Sequence, residues 1–490
     1  MRNNKTMKNR NSLSPEKESV YSEICKNWSI EARKENLAYF YNVRELQSIL
    51  DGSKSFVIGR KGSGKTSIAQ HLVSSDRSDA FCQKLSFKNF PFNILYDLQN
   101  SREYTEPNQY ISIWKYLIYS YICKKMIDNN NINEEIRSKL SKLYGGSAKD
   151  SLKNLIGKWT SHEFGVSILG SGINYHGEKQ PSSVSWIEAS EILEKVILEY
   201  CDSSYYYIVF DELDEDYRDF KNETEAYQYK SMLTSLFKAI QDVRSIFDDD
   251  EKHIFPVAFL RSDIYSQLTD SDKNKWRESI INMEWETLQI KQLLAHRLSV
   301  AMNIDELSFE DVWFRLFSRY KVRMGNRQNR FMSIYDYIER STEMRPRDFV
   351  QYIKECAKLS IERKEEFISP QTVKDADEKF SEYLKAETID ELYSVIPEID
   401  EILGLLSTIR KQSFSFSAFE NEYNILVDQK KVPKRDVKWI LLKLFDAGVL
   451  GNQPTMRGQA IFSFSKKSPR FNFNEPMLIH RGLFKALQIF

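Results

Sequence analysis

The chain has 490 residues, too many for one compact core, so roughly two to four domains are expected. Its 70 Lys and Arg balance 70 Asp and Glu. That balance excludes a global field that recruits nucleic acid or an acidic membrane, so any such contact has to come from a local patch. The five cysteines (Cys25, Cys82, Cys123, Cys201, Cys356) form no C-x-x-C pair, and the six histidines never stand at metal-ligand spacing. This pattern argues against a disulfide framework and a zinc site, and for reduced thiols in a cytoplasmic protein.

Residues 1–18 are polar and rich in Asn, Lys and Ser, lack the apolar segment of a signal peptide, and are expected to be a disordered tail. Residues 18–50 read as helical, with a start at Pro15-Glu16. Ser55-Phe56-Val57-Ile58 then has the character of a short buried strand. It runs into Gly59-Arg60-Lys61-Gly62-Ser63-Gly64-Lys65-Thr66, which fits G-x-x-x-x-G-K-[ST] at every fixed position, and residues 67–73 return to helical spacing. The chemistry requires that order. Glycines let backbone N–H groups crowd around phosphates, and the following helix presents its positive end. Lys65 can reach the β- and γ-phosphates, and the Thr66 hydroxyl can ligate Mg²⁺. Gly59, Gly62, Ser63, Gly64, Lys65, Thr66 and Ser67 are therefore the expected nucleotide-binding residues. The plain alternative, a Gly-rich strand-to-helix turn with a chance lysine, is disfavoured by the flanking strand and helix.

A second strand is expected at residues 80–87. The distance to the next strand exceeds one strand–helix–strand step, which predicts a mainly helical insertion over about 91–195. It contains helices near 110–126 and 132–143, and a Gly-rich patch at 164–172 that suits a hairpin; no Lys-Ser/Thr follows the patch, so it is not a second phosphate loop. The longest apolar stretch, 116–127, is too short to span a bilayer and is broken by Lys124 and Lys125. Tyr205-Tyr206-Tyr207-Ile208-Val209-Phe210 suits a strand buried on both faces. It ends in Asp211-Glu212-Leu213-Asp214-Glu215. In a phosphate-loop protein a carboxylate just past such a strand is where a Mg²⁺ ligand belongs, so Thr66 and Asp211 are the expected metal residues. An acidic helix N-terminus is the alternative for this run.

A long helix over 224–247, a fourth strand over 253–260 and a fifth over 280–285 follow. With right-handed crossovers these give an α/β fold, a five-stranded parallel sheet with the fourth strand between the phosphate-loop strand and the acidic strand. Helical periodicity then runs from 287 to about 396, as in an all-α lid. Three short helices (400–409, 416–426, 434–445) and a strand-like pair (449–450 with 460–464, around Gly451 and Gly458) make a winged-helix pattern. Lys430, Lys431, Lys434, Arg435, Lys438 and Lys443 cluster at its third helix, and Arg457, Lys466, Lys467 and Arg470 decorate the wing. Double-stranded DNA is one partner such a basic helix could take; a protein-docking or autoinhibitory role is the alternative, and the apolar run Trp439-Ile440-Leu441-Leu442 marks one face of the helix as core. The domain limits expected are 1–18, 19–300, 301–396 and 397–490.

The phosphate loop, the Asp-Glu strand end, Leu260-Arg261-Ser262-Asp263-Ile264 and Arg345-Pro346-Arg347-Asp348 together resemble a prokaryotic P-loop ATPase of the AAA+/STAND-like class, over about residues 40–490. The resemblance implies ATP rather than GTP, and Glu212 as the base that orients the attacking water, with Asp214 or Glu215 as the second choice. It puts a sensor residue at Arg261, where most AAA+ proteins carry Asn or Thr, and a second sensor at Arg347; ordinary ion pairing of Arg347 with Asp348 or Glu343 is the competing reading. Arg277 falls where an arginine finger would reach a neighbouring subunit, although a solvated helix-face arginine fits the same position. The expected catalytic set is Glu212, Asp211, Lys65, Arg261 and Arg347. The expected activity is that of an ATP-hydrolysing conformational switch working with Mg²⁺, as a homo-oligomer or with a partner effector protein, in the cytoplasm, without membrane contact and, by analogy, in antiviral defence. A nucleotide-gated scaffold for DNA or protein, with little turnover, is the alternative. Kinase chemistry is disfavoured because no phosphoacceptor site is recognisable.

Overall fold

A computed structural model describes residues 13–29, 37–74, 77–87, 110–144, 186–217, 223–324, 330–454, 460–465 and 469–489. The Gly-rich patch at 164–172, residues 1–12, Gly458, Arg457, Lys466 and Lys467 lie outside them. Contacts divide the chain into two units. One comprises Asn42–Arg60 and Lys65–Met283; the other comprises Met1–Tyr41, Lys61–Gly64 and Glu284–Phe490.

The first unit is built on a five-stranded parallel sheet, with β1 Phe56–Gly59, β2 Ala80–Ser86, β3 Tyr205–Asp211, β4 Ile254–Arg261 and β5 Ile280–Met283 in the order β2-β3-β4-β1-β5. As expected, the fourth strand lies between the phosphate-loop strand and the acidic strand. All eight residues of β4 are buried, as a central strand with both faces covered requires. Register puts Gly59 opposite Arg261 and Ser86 opposite Asp211, so the ends of the strands bring the chemical residues to one edge.

Two helices expected in the insertion form at Ile111–Asp128 and Glu134–Tyr144. The first is apolar nearly all round and packs against the helices Trp186–Tyr200 and Glu223–Asp249, which makes it a core element of the unit. Trp114 donates to the Met232 carbonyl at 3.0 Å, and buried Asn129 donates to Asp202, Ser204 and Tyr206. The first bond ties the insertion to the helix Glu223–Asp249, and the Asn129 bonds tie it to the start of β3 and the residues leading into it.

In the second unit the continuous helix expected over 18–50 is not observed. A helix spans Pro15–Asn27, with Ser14 as its side-chain cap. It stops at Trp28, whose extended backbone and fully buried ring end the helix. A single 3-10 turn at Leu37–Tyr39 follows, and a short helix at Glu45–Leu50 opens the first unit. Pro15 already begins a helix inside the segment assigned to the tail. The helices Thr287–Met302, Phe309–Leu316, Ile334–Glu339, Pro346–Arg363 and Pro370–Leu392 form the expected helical region, with the hairpin β6 Val322–Arg323 and β7 Phe331–Met332 between them. Thr287–Met302, which straddles the limit drawn at 300, groups with this unit.

The last segment has helices at Ile399–Ile409, Phe416–Asp428 and Val437–Asp446, with an antiparallel sheet of β8 Ser413–Phe414, β9 Leu450–Asn452 and β10 Met477–Ile479 in the order β8-β10-β9. The expected partner of the 449–450 strand, residues 460–464, contributes one bridge, Ile461 to Asn452; the strand that pairs with β9 is β10. A Cβ on Gly451 would lie 2.8 Å from the Ile461 carbonyl oxygen, so glycine is what allows that close approach. Among the described residues, no helix is long and apolar enough to cross a membrane.

Candidate functional site

The loop between β1 and the helix Lys65–Val73 has the shape its sequence requires. Gly62 and Gly64 take φ of +80° and +97°, values that side chains disfavour. Among the described residues, a Cβ on Gly64 would meet nothing within 4 Å, which leaves space beside the backbone at that position. Ser63 is buried, and its hydroxyl has no hydrogen-bond partner among the described residues. Ser67 sits in the first turn of the helix.

Lys65 is the first residue of that helix, and its ammonium donates to the carbonyls of Gly59 at 2.8 Å and Arg60 at 2.9 Å. Burial pushes its pKa down to about 8, with Asp214 opposing the shift and Arg261 adding to it. A phosphate bound at the loop would favour the charged form, so affinity for a phosphate-bearing ligand there should be full below about pH 8. It should fall by up to tenfold per pH unit above that, with net proton uptake on binding near pH 8. Calorimetry in buffers of different ionisation enthalpy measures that uptake; an affinity flat from about pH 7 to 9.5 would contradict it.

Thr66 Oγ1 lies 3.5 Å from Asp211 Oδ1. Asp211 is 2% exposed at the end of β3. A hydroxyl and a carboxylate are hard oxygen donors, and Mg²⁺ typically takes one or two protein oxygens and completes its shell with water and phosphate. The pair fits that ion, with Thr66 and Asp211 as the residues that would hold it.

Glu212 follows in a left-handed conformation (φ 62°, ψ 37°), which for a non-glycine residue costs about 1–3 kcal/mol. Its carboxylate accepts a hydrogen bond from the Ser86 hydroxyl on β2. Lys84, also on β2, lies 2.7 Å from Asp211 Oδ2. Sequence reading passed over both β2 residues. The available signal was Lys84-Leu85-Ser86, two polar residues at alternate positions in a strand, which share one face. Knowing that β2 neighbours the acidic strand was needed to use it.

Arg261 is 9% exposed at the end of β4. Its guanidinium forms a fork with Asp263 at 3.0 and 2.8 Å and lies 3.7 Å from Asp214. The first unit thus brings Lys65, Thr66, Asp211, Asp214 and Arg261 into one electrostatic cluster. The side chain of Glu215 is outside the described residues. Arg277 is exposed in a 3-10 turn just before β5.

Arg347 belongs to the second unit, with the loop tip 61–64. Its Cβ lies 3.4 Å from where a Gly62 Cβ would stand, and its Nη1 donates to Glu387 Oε2 at 2.8 Å. Pairing with Asp348 and Glu343 falls instead to Arg345, which is 4% exposed and also faces Glu391 and the Lys61 carbonyl. Trp285 Nε1 donates to the Ser63 carbonyl at 2.8 Å.

Residues 288–388 match the family described as the FunZ-associated C-terminal helical domain. The chain is 21% identical over 474 residues to a transposon gamma-delta 80.3 kDa protein of Escherichia coli (strain K12), covering 90% of this chain and 63% of that protein. Among solved structures it is similar to Cdc6p from Pyrobaculum aerophilum, at 12% identity over 92% of this chain and 96% of that one, with a TM-score of 0.32. It is also similar to the Aeropyrum pernix ORC2 protein in ADPNP–ADP complexes, at 12% identity over 91% and 89% of the two chains, with a TM-score of 0.37. These are distant likenesses.

Proposed function

We propose that the chain binds ATP with Mg²⁺ at Gly59–Thr66 and hydrolyses it, cycling between conformations as a nucleotide-driven switch. The observation that carries this reading is the meeting of Thr66 and Asp211 beside Lys65 at the carboxyl ends of β1 and β3, the edge where open parallel sheets take their ligands. The loop backbone N–H groups and the start of the helix Lys65–Val73 would cradle the phosphates, with Lys65 on the terminal ones. Glu212 would orient the attacking water once it leaves Ser86, and Arg261 would respond to the γ-phosphate from the end of β4. Bound Mg²⁺ supplies charge neutralisation at the phosphates. The test is inorganic phosphate release from ATP by the purified chain. Release above background supports the reading; ATP bound without turnover would favour the scaffold alternative.

We assign the ATPase core within residues 19–300, with Asn42–Arg60 and Lys65–Met283 as its compact part, 301–396 as a lid and 397–490 as a winged-helix domain; three helices and a small antiparallel sheet support the last. Exposed Arg277 is the candidate finger toward a second copy. A setting in antiviral defence rests on the sequence resemblance. Lys430, Lys431, Lys434 and Lys438 are exposed before and on the helix Val437–Asp446, which supports a second reading as a duplex-DNA contact. Four phosphate contacts would give a slope of about −3.6 in log K against log[salt]. A slope of zero in a filter-binding titration would remove DNA from the account.

A further inference from the structure

Asp211 is held from two sides. Thr66 reaches one carboxylate oxygen at 3.5 Å and the Lys84 ammonium the other at 2.7 Å. The two charged side chains are 13% and 3% exposed, so the pair is largely out of water. A buried carboxylate without a cation is costly, and a lysine on the neighbouring strand neutralises it as an ion pair, while Oδ2 itself has no hydrogen-bond partner among the described residues. Lys84 stands opposite Val209, two residues from the acid it pairs with, and no other cation is within ion-pair distance of Asp211 among the described residues.

Resting on the nucleotide reading above, we infer that Lys84 is a resident counter-cation of the metal ligand. It positions Asp211 before nucleotide arrives and competes with Mg²⁺ for the same carboxylate, thereby setting how much Mg²⁺ the site demands. Two cations cannot share one carboxylate without repulsion, and a flexible side-chain stem lets the charged head withdraw when Mg²⁺ arrives. Lys84 is a positioning residue that acts through Asp211.

The experiment titrates ATP into the full chain by calorimetry, once in EDTA and once at a series of MgCl₂ concentrations, for wild type, Lys84→Met and Lys84→Arg. A charge-assisted contact of this kind is worth about a tenfold change in affinity. In Lys84→Met the half-saturating Mg²⁺ concentration should fall about tenfold. ATP affinity in EDTA should weaken several-fold, because Asp211 then faces the phosphates unneutralised. Lys84→Arg should stay near wild type in both arms. A purely structural role would weaken both arms together, and that outcome, or an unchanged or higher Mg²⁺ requirement, overturns the inference. Wild type binding no ATP in either arm would overturn the nucleotide reading and this inference with it. Wild-type binding with an indifferent Lys84→Met would overturn this inference alone.

Discussion

Lys65→Ala should bind ATP about a hundredfold or more weakly than wild type and release phosphate at the background rate. The ammonium is held beside the loop between the Gly59 and Arg60 carbonyls, placed to meet a phosphate bound there. Losing a contact to a charged phosphate costs about 1.5–3 kcal/mol per hydrogen bond, and a lysine makes more than one. The substitution should leave the fold intact. Alanine is the best helix former at the helix start, and the depressed pKa means that the folded state disfavours the charge it removes. A thermal melt no lower than that of wild type, measured by circular dichroism, separates loss of binding from loss of fold.

The second large effect belongs to Glu212. Glu212→Gln should cut turnover by about 10²–10⁴, the usual worth of a general base, while ATP affinity stays close to wild type. Glutamine keeps the shape and can still accept from Ser86, so the strained backbone retains its partner. Pre-steady-state mixing followed by filtration should recover ATP, not ADP, from the variant. Turnover that survives Glu212→Gln and fails in Asp214→Asn would move the base to Asp214, which sits beside Arg261.

The sheet was legible because its central strands β3 and β4 are runs rich in aromatic and β-branched residues, and because right-handed crossovers leave little choice of order. The loop was legible because its chemistry needs fixed residue types at fixed spacing. What failed shares a cause: it depends on pairing at a distance. β8 and β10 have two and three residues, too few to show a period, so the partner expected for β9 is the nearer apolar run at 460–464 in place of β10. Lys84 and Ser86 gain meaning only from the register of β2 against β3. Arg345 and Arg347 flank one proline and look equivalent in sequence; only the fold turns Arg345 into a buried cluster of carboxylates and leaves Arg347 with Glu387. The helix expected over 18–50 had the right start and the wrong length, since a buried Trp28 outweighed local helical preference.

The central claim is that one ATP occupies the Gly59–Thr66 loop. Equilibrium dialysis of labelled ATP with Mg²⁺ at pH 7 tests it most directly, with wild type and Lys65→Ala side by side. The account predicts saturable binding of one nucleotide per wild-type chain and little by the variant. No saturable binding to wild type, or equal binding by both proteins, would contradict it.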